Sequence, residues 1–261
     1  AQPTYSHHFL TALHRAGRLK MYVQQNHDGL PQKAGFPQAA MNEVHGAWYD
    51  PSNRVVQFNE SLRTDLFHEM LKAVELKEDL CLCMGTSLSG MNADRVARTP
   101  AKRACKGKSV NGSPYLGTVL VNLQQTALDD RTAIRIWAKI DDAMKILADK
   151  LGLDVGDSAL PAPTKDVYYV PYDENGVYNA QCRMKLDLRR GQKVRIAQQD
   201  ARNHGCEGVM HGKDKEGNYR LAIDYPMILG RWWAYEAEAG TLVDLPIVNV
   251  DPVIEIVADS D

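Results

Sequence analysis

Three short apolar runs, residues 19–23, 80–84 and 117–123, each stop abruptly in a polar or glycine-bearing segment. Helical patterns separate them. Residues 4–16 carry Phe9, Leu10 and Leu13 at helical spacing before Gly17, and residues 64–76 carry Leu66, Phe67, Met70, Leu71 and Val74 behind a capping Thr64. Apolar positions three and four apart share one helix face, whereas a brief apolar run bounded by glycine or amides suits a buried strand. Residues 92–104 suit a further helix, and residues 130–151, with Ile134, Ile136, Trp137, Ile140, Met144 and Leu147, predict a long one ending near Gly152. Strands separated by helices imply an α/β fold with a mainly parallel sheet covered on both faces. Such sheets bind ligands in the loops beyond the carboxyl ends of their strands.

The texture changes after residue 155. Residues 156–166 have the Pro, Ser, Ala and Gly content of a linker. Residues 167–261 then hold short alternating segments at 167–170, 184–188, 193–197, 219–223, 232–235 and 253–257, with RRGQ (189–192) and KEGN (215–218) as hairpin turns. A Rossmann-type domain over 1–155 followed by a small β-rich module, barrel or sandwich, is expected. Charge divides the same way: 19 Lys/Arg against 16 Asp/Glu up to residue 154, and 12 against 17 after it. No apolar run approaches a membrane span and no secretory signal opens the sequence. The five cysteines form no C-x-x-C pair, which fits reduced thiols in an intracellular protein and predicts no metal site. Six basic residues between Arg95 and Lys108 suit a solvated helix face better than a nucleic-acid surface. Trp232, Trp233 and Tyr235 suit a small β core better than a peptide-docking surface.

The chemistry-bearing residues cluster behind the apolar runs. Gln24-Gln25-Asn26-His27-Asp28-Gly29-Leu30 follows the first, and Val44-His45-Gly46 lies a short way beyond. An imidazole titrates near neutral pH and serves as a general base. The first segment resembles the TQNIDGL motif of the sirtuins, and Val44-His45-Gly46 resembles their LHG motif. Residues 55–60 (VVQFNE) resemble VVxFGE, residues 79–89 (DLCLCMGTSLS) resemble DLxLVxGTSLxV, and residues 121–126 (VNLQQT) resemble INLQxT. Five motifs stand in family order, with wording closest to the class IV branch.

The resemblance implies NAD-dependent removal of an acyl group from lysine, with NAD as cosubstrate and an acyl-lysine protein or peptide as partner. His45 would be the base, with Asn26 beside it in catalysis. Gln25, Asn26 and Asp28 would recognise ribose and carboxamide; Gly85, Thr86 and Ser87 the adenine-side ribose; Asn122 and Leu123 the adenine. Val56 and Phe58 would line the acyl-lysine tunnel.

Four departures stand beside the match. The family's GAGxS phosphate loop and the strand before it are absent, which suggests a fragment or a degenerate form and leaves two inner sheet edges to be covered; residues 253–257 are a candidate substitute beside residues 80–84. The zinc module is absent, since only residues 47–54 separate the two motifs that usually flank it. His27 replaces an isoleucine and Gln24 a threonine. Asn59 replaces a glycine, the least costly exchange if that backbone needs a positive φ. A catalytically silent scaffold acting through the C-terminal module and a protein partner, and an NAD hydrolase or ADP-ribosyltransferase using the same His45, are the alternatives.

Overall fold

The computed structural model describes residues 1–75, 80–107, 109–110 and 113–257. Leu76, Asp79 and Lys108, named above, lie outside them.

In the first 155 residues the elements are α1 (Tyr5–Arg15), β1 (Tyr22–Val23), α2 (Leu30–Lys33), β2 (Met41–Asn42), α3 (Thr64–Glu75), β3 (Leu80–Met84), α4 (Arg95–Cys105), the short pair β4 (Ser109–Val110) and β5 (Ser113–Pro114), β6 (Gly117–Val121), β7 (Ile134–Ile136) and α5 (Ile140–Leu151). The strand order β3-β6-β7 is parallel, and β1 pairs β2 in parallel as a separate two-stranded sheet. Side chains on β3 and β6 alternate between faces, as the two-residue period of a strand requires. Leu82, Met84, Val119 and Val121 pack with α1 and α5, around Phe9, Leu10, Leu13 and Met144. Cys81, Cys83 and Leu120 face the other way, towards Ala97 of α4 and Leu88. Burial pushes the Cys81 and Cys83 thiols up to about 12, so both stay protonated as core groups. The architecture is the expected α/β one.

The second part contains β8 (Val167–Val170), β9 (Cys182–Asp187), β10 (Lys193–Ile196), β11 (Glu207–Lys213), β12 (Tyr219–Ala222), β13 (Pro226–Leu229), α6 (Arg231–Ala239), β14 (Ile247–Asn249) and β15 (Val253–Ile256). Two antiparallel sheets, ordered β13-β12-β11-β10-β14 and β15-β9-β8, share one core that includes Tyr168, Tyr172, Met184, Met210, Tyr219 and Trp232. The segment between the two parts is fastened at several points. Pro163 O accepts from Lys213 Nζ at 2.8 Å, Lys165 O accepts from the Tyr168 and Tyr219 hydroxyls at 3.0 Å, and Leu160 packs on the core.

Several sequence expectations need correction. Residues 130–151 are not one helix: Ile134–Ile136 form β7, and the helix begins at Ile140. Pairing of residues 134–136 with β6 outweighs the local helical spacing, and the Asp141 and Asp142 carboxylates favour a helix start just after the strand. Residues 232–235 are helical, in α6, between Gly230 and a left-handed Gly240 (φ 64°) that ends it. The 189–192 turn does not close a hairpin, because β9 and β10 belong to different sheets; Asp214–Asn218 does close one, between β11 and β12. Residues 253–256 pair with β9 and not beside β3. Asn59 has no positive φ; Leu88 does (φ 53°). Among the described residues no helix is long and apolar enough to cross a membrane, and no group of three or more His, Cys, Asp or Glu gathers to hold a metal.

Candidate active site

Four of the five motifs follow the carboxyl ends of parallel strands: residues 24–28 after β1, 43–46 after β2, 85–87 after β3 and 122–123 after β6. Hydrogen bonds join them into one path. Asn122 Nδ2 donates to Thr86 O at 2.9 Å, and Thr86 Oγ1 donates to Gln25 Oε1 at 2.8 Å. The Gln25 backbone acts on the His45 ring, and Val56 N donates to His45 O at 3.0 Å. Sequence motifs up to 97 residues apart therefore converge at one end of the parallel layer.

His45 is buried, 8% exposed, and its Nε2 has no hydrogen-bond partner. With the ring proton on Nδ1, the Nε2 lone pair is free to accept. Burial, then the neighbouring His27, lower the His45 pKa against the opposing pull of the Gln25 contact and Asp94. The imidazole is thus held neutral near physiological pH, as a base must be. Gly46 fixes the turn: its φ is 91°, and a Cβ there would lie 2.4 Å from Arg54 O and 2.5 Å from Val55 Cα. Only glycine fits.

Gln25 is oriented at both ends of its amide, because Nε2 also donates to Asp94 Oδ1 at 2.9 Å. Asp94 is buried, accepts from Gly90 N at 2.7 Å, and lies 3.9 Å from Arg98. Gly85 turns with φ 62° and donates from N to Val121 O at 3.2 Å. Ser87 is exposed and meets Ser89. Leu88 is buried in a left-handed conformation, a strained state that clusters at functional loops.

Other expected residues lie apart from this path. Asp28 turns back, accepting from Leu30 N and Gln24 Nε2, both at 3.1 Å, so it starts α2. Asn26 is exposed. Val56 is half-buried, but Phe58 is 99% exposed and forms no tunnel wall in this conformation. Leu123 is exposed next to Asn122.

Asp94 and Arg135 were not foreseen. Asp94 was legible only as a carboxylate before a helix. Arg135 holds the Asn122–Gln124 segment, donating to Asn122 O at 2.9 Å and Gln124 O at 2.7 Å while pairing with Asp129 at 3.0 Å. Reading residues 130–151 as one helix concealed it.

The chain is 30% identical over 196 residues to the bovine (Bos taurus) NAD-dependent protein deacetylase sirtuin-7, covering 59% of this chain and 47% of that protein. Residues 1–52 match the family model of the Sir2 family. The chain resembles the sirtuins over part of its length. A Caenorhabditis elegans relative, NAD-dependent protein deacetylase sir-2.4, is 32% identical over 108 residues, covering 41% of this chain and 31% of that one. A solved structure described as "Structure of Sir2Tm bound to a propionylated peptide" aligns with TM-score 0.49 at 20% identity, covering 59% of this chain and 73% of that chain. The chain spans about half the length of the curated relatives it matches.

Proposed function

We propose that this chain carries the base-catalytic part of an NAD-dependent protein-lysine deacylase, acting on acyl-lysine proteins or peptides. The observation that carries the reading is His45: a buried, neutral imidazole with an orphaned Nε2, joined through Gln25 and Thr86 to Asn122. A shielded nitrogen without a partner needs a ligand group to satisfy it.

The residues fit two ends of the dinucleotide. Near His45, the exposed Asn26 amide and the oriented Gln25 are available for ribose and carboxamide. Near Asn122, the exposed Ser87 hydroxyl and the Leu123 side chain suit ribose and adenine. NAD would supply an electrophilic ribose carbon once nicotinamide departs. His45 Nε2 would take the proton of a ribose hydroxyl, and the resulting imidazolium would be stabilised by its bond to the Gln25 carbonyl and by Asp94. Val56, whose N–H is tied to His45 O, would hold one side of the acyl-lysine beside the base.

Calorimetric titration with NAD, followed by an acyl-lysine peptide assay of wild type and His45→Ala, tests this. Binding with His45-dependent deacylation supports it. Nicotinamide release without peptide would instead indicate an NAD hydrolase. The exposure of Phe58 favours the scaffold reading, which binding without any turnover would support.

A further inference from the structure

The ring that replaces the family's apolar group, His27, is not idle. Its Nδ1 lies 2.7 Å from Gly46 O, so Nδ1 carries a proton and donates it to the residue next to His45. The same residue's main-chain carbonyl accepts from Trp48 N at 3.0 Å, and its ring meets the Trp48 ring at 6.2 Å. His27 therefore grips the 46–48 segment twice, once by side chain and once by backbone.

The gripped turn has little freedom elsewhere. Gly46 N donates to Glu43 O at 2.8 Å, Ala47 N donates to Asn53 O at 2.8 Å, and the Gly46 backbone rests against Arg54 and Val55. What those bonds do not fix is the spacing between the His45 turn and the loop that follows β1. The His27–Gly46 bond fixes it, together with the bond from Trp48 N to His27 O.

We propose that His27 is a positioning residue for His45, clasping the His45–Gly46 turn to the strand-end loop through its ring N–H. The inference rests on the deacylase reading for its biological meaning, but not for its test. An apolar residue at position 27 offers no donor to Gly46 O.

Proton NMR titration of the histidine ring resonances, with His45 assigned from the peak lost in His45→Ala, reads this without any turnover. His27→Asn keeps an amide donor near the Nδ1 position, and His27→Leu removes it. In His27→Leu the His45 ring resonances should move from their wild-type positions and the Gly46 amide should broaden, and His27→Asn should restore both. Ring resonances and a Gly46 amide unchanged in His27→Leu, or changes that Asn fails to rescue, overturn the proposal. Failure of NAD to bind would sink the deacylase reading and leave these titrations unaffected.

Discussion

Trp232 of α6 donates its indole N–H to the Oε1 of Gln38 at 2.9 Å, and through that amide it touches the residues leading to His45. Gln38 Oε1 also accepts from Gln32 Nε2 at 3.0 Å, while Gln38 Nε2 donates to Glu43 at 3.1 Å, two residues before the proposed base. Glu236, one turn beyond Trp232, accepts from Gln38 N at 2.8 Å. One glutamine thus ties the β-rich part to the strand-end segment of the candidate site.

Substitution of Gln38 should cost more than substitution of its partner. Gln38→Leu strips hydrogen bonds from Gln32, Glu43 and Trp232 together, leaving buried polar groups unpaired, and should destabilise by about 3–5 kcal/mol. Trp232→Phe leaves Oε1 satisfied by Gln32, so its loss should be about 1–3 kcal/mol, mostly from packing. Urea unfolding of both variants measures the order; equal effects would show that the network is not shared.

Two carboxylates here are strongly perturbed. Burial raises Glu43 and Glu236 to about 7, against partial relief from Gln38 and its neighbours. A folded pKa above the unfolded value means that the unfolded chain releases its proton first as pH rises. The stability these groups give is therefore complete below about 4.5 and lost through about 7. The lowered His7 and His45 work in the opposite sense, but only below their ordinary value of 6.5. The clean window is pH 6.5 to 8, where unfolding free energy should fall, by on the order of 1–2 kcal/mol. Glu43→Gln should flatten that slope in denaturant titrations at several pH values.

Gly46 and Gly17 both have positive φ but different surroundings. A Cβ at Gly46 collides with Arg54 and Val55, whereas nothing lies within 4 Å of one at Gly17. Gly46→Ala should cost roughly 3 kcal/mol or more, and Gly17→Ala only about 1 kcal/mol. Thermal denaturation of the pair separates steric clash from backbone preference.

Asp94 orients Gln25 and, through it, the carbonyl that His45 uses. Asp94→Asn keeps the size while removing the charge and one acceptor towards Gln25 or Gly90. The His45 pKa should fall further, because Asp94 raises it. Ring-proton titration reads the shift; an unchanged midpoint would remove Asp94 from the electrostatics of the base.

Much of this arrangement was legible in residue order. The runs at 80–84 and 117–121 are short, largely apolar and broken by Gly85 and Asn122, as strands of a covered sheet are, and their ends place Gly85–Ser87 and Asn122. The Val44-His45-Gly46 turn was equally readable, because its glycine is sterically compelled. What escaped was set by distant partners. Residues 134–136 look helical until β6 pairs with them, and Trp232 looks like strand core until Gln38 receives its N–H. Asp28 has the residue type for ribose recognition, yet its nearest donors, Leu30 N and Gln24, claim it. Phe58 is apolar and still lies in solvent, which no local pattern foretells.

The central claim is that His45 acts as the base of NAD-dependent deacylation. Mass-spectrometric measurement of acetyl-lysine peptide turnover with NAD, in wild type and in His45→Ala, tests it most directly. The account predicts NAD-dependent loss of the acetyl group by the wild type and a rate lower by about 100-fold or more in the variant. Turnover that survives in His45→Ala, or its absence in a wild type shown to bind NAD, would contradict it.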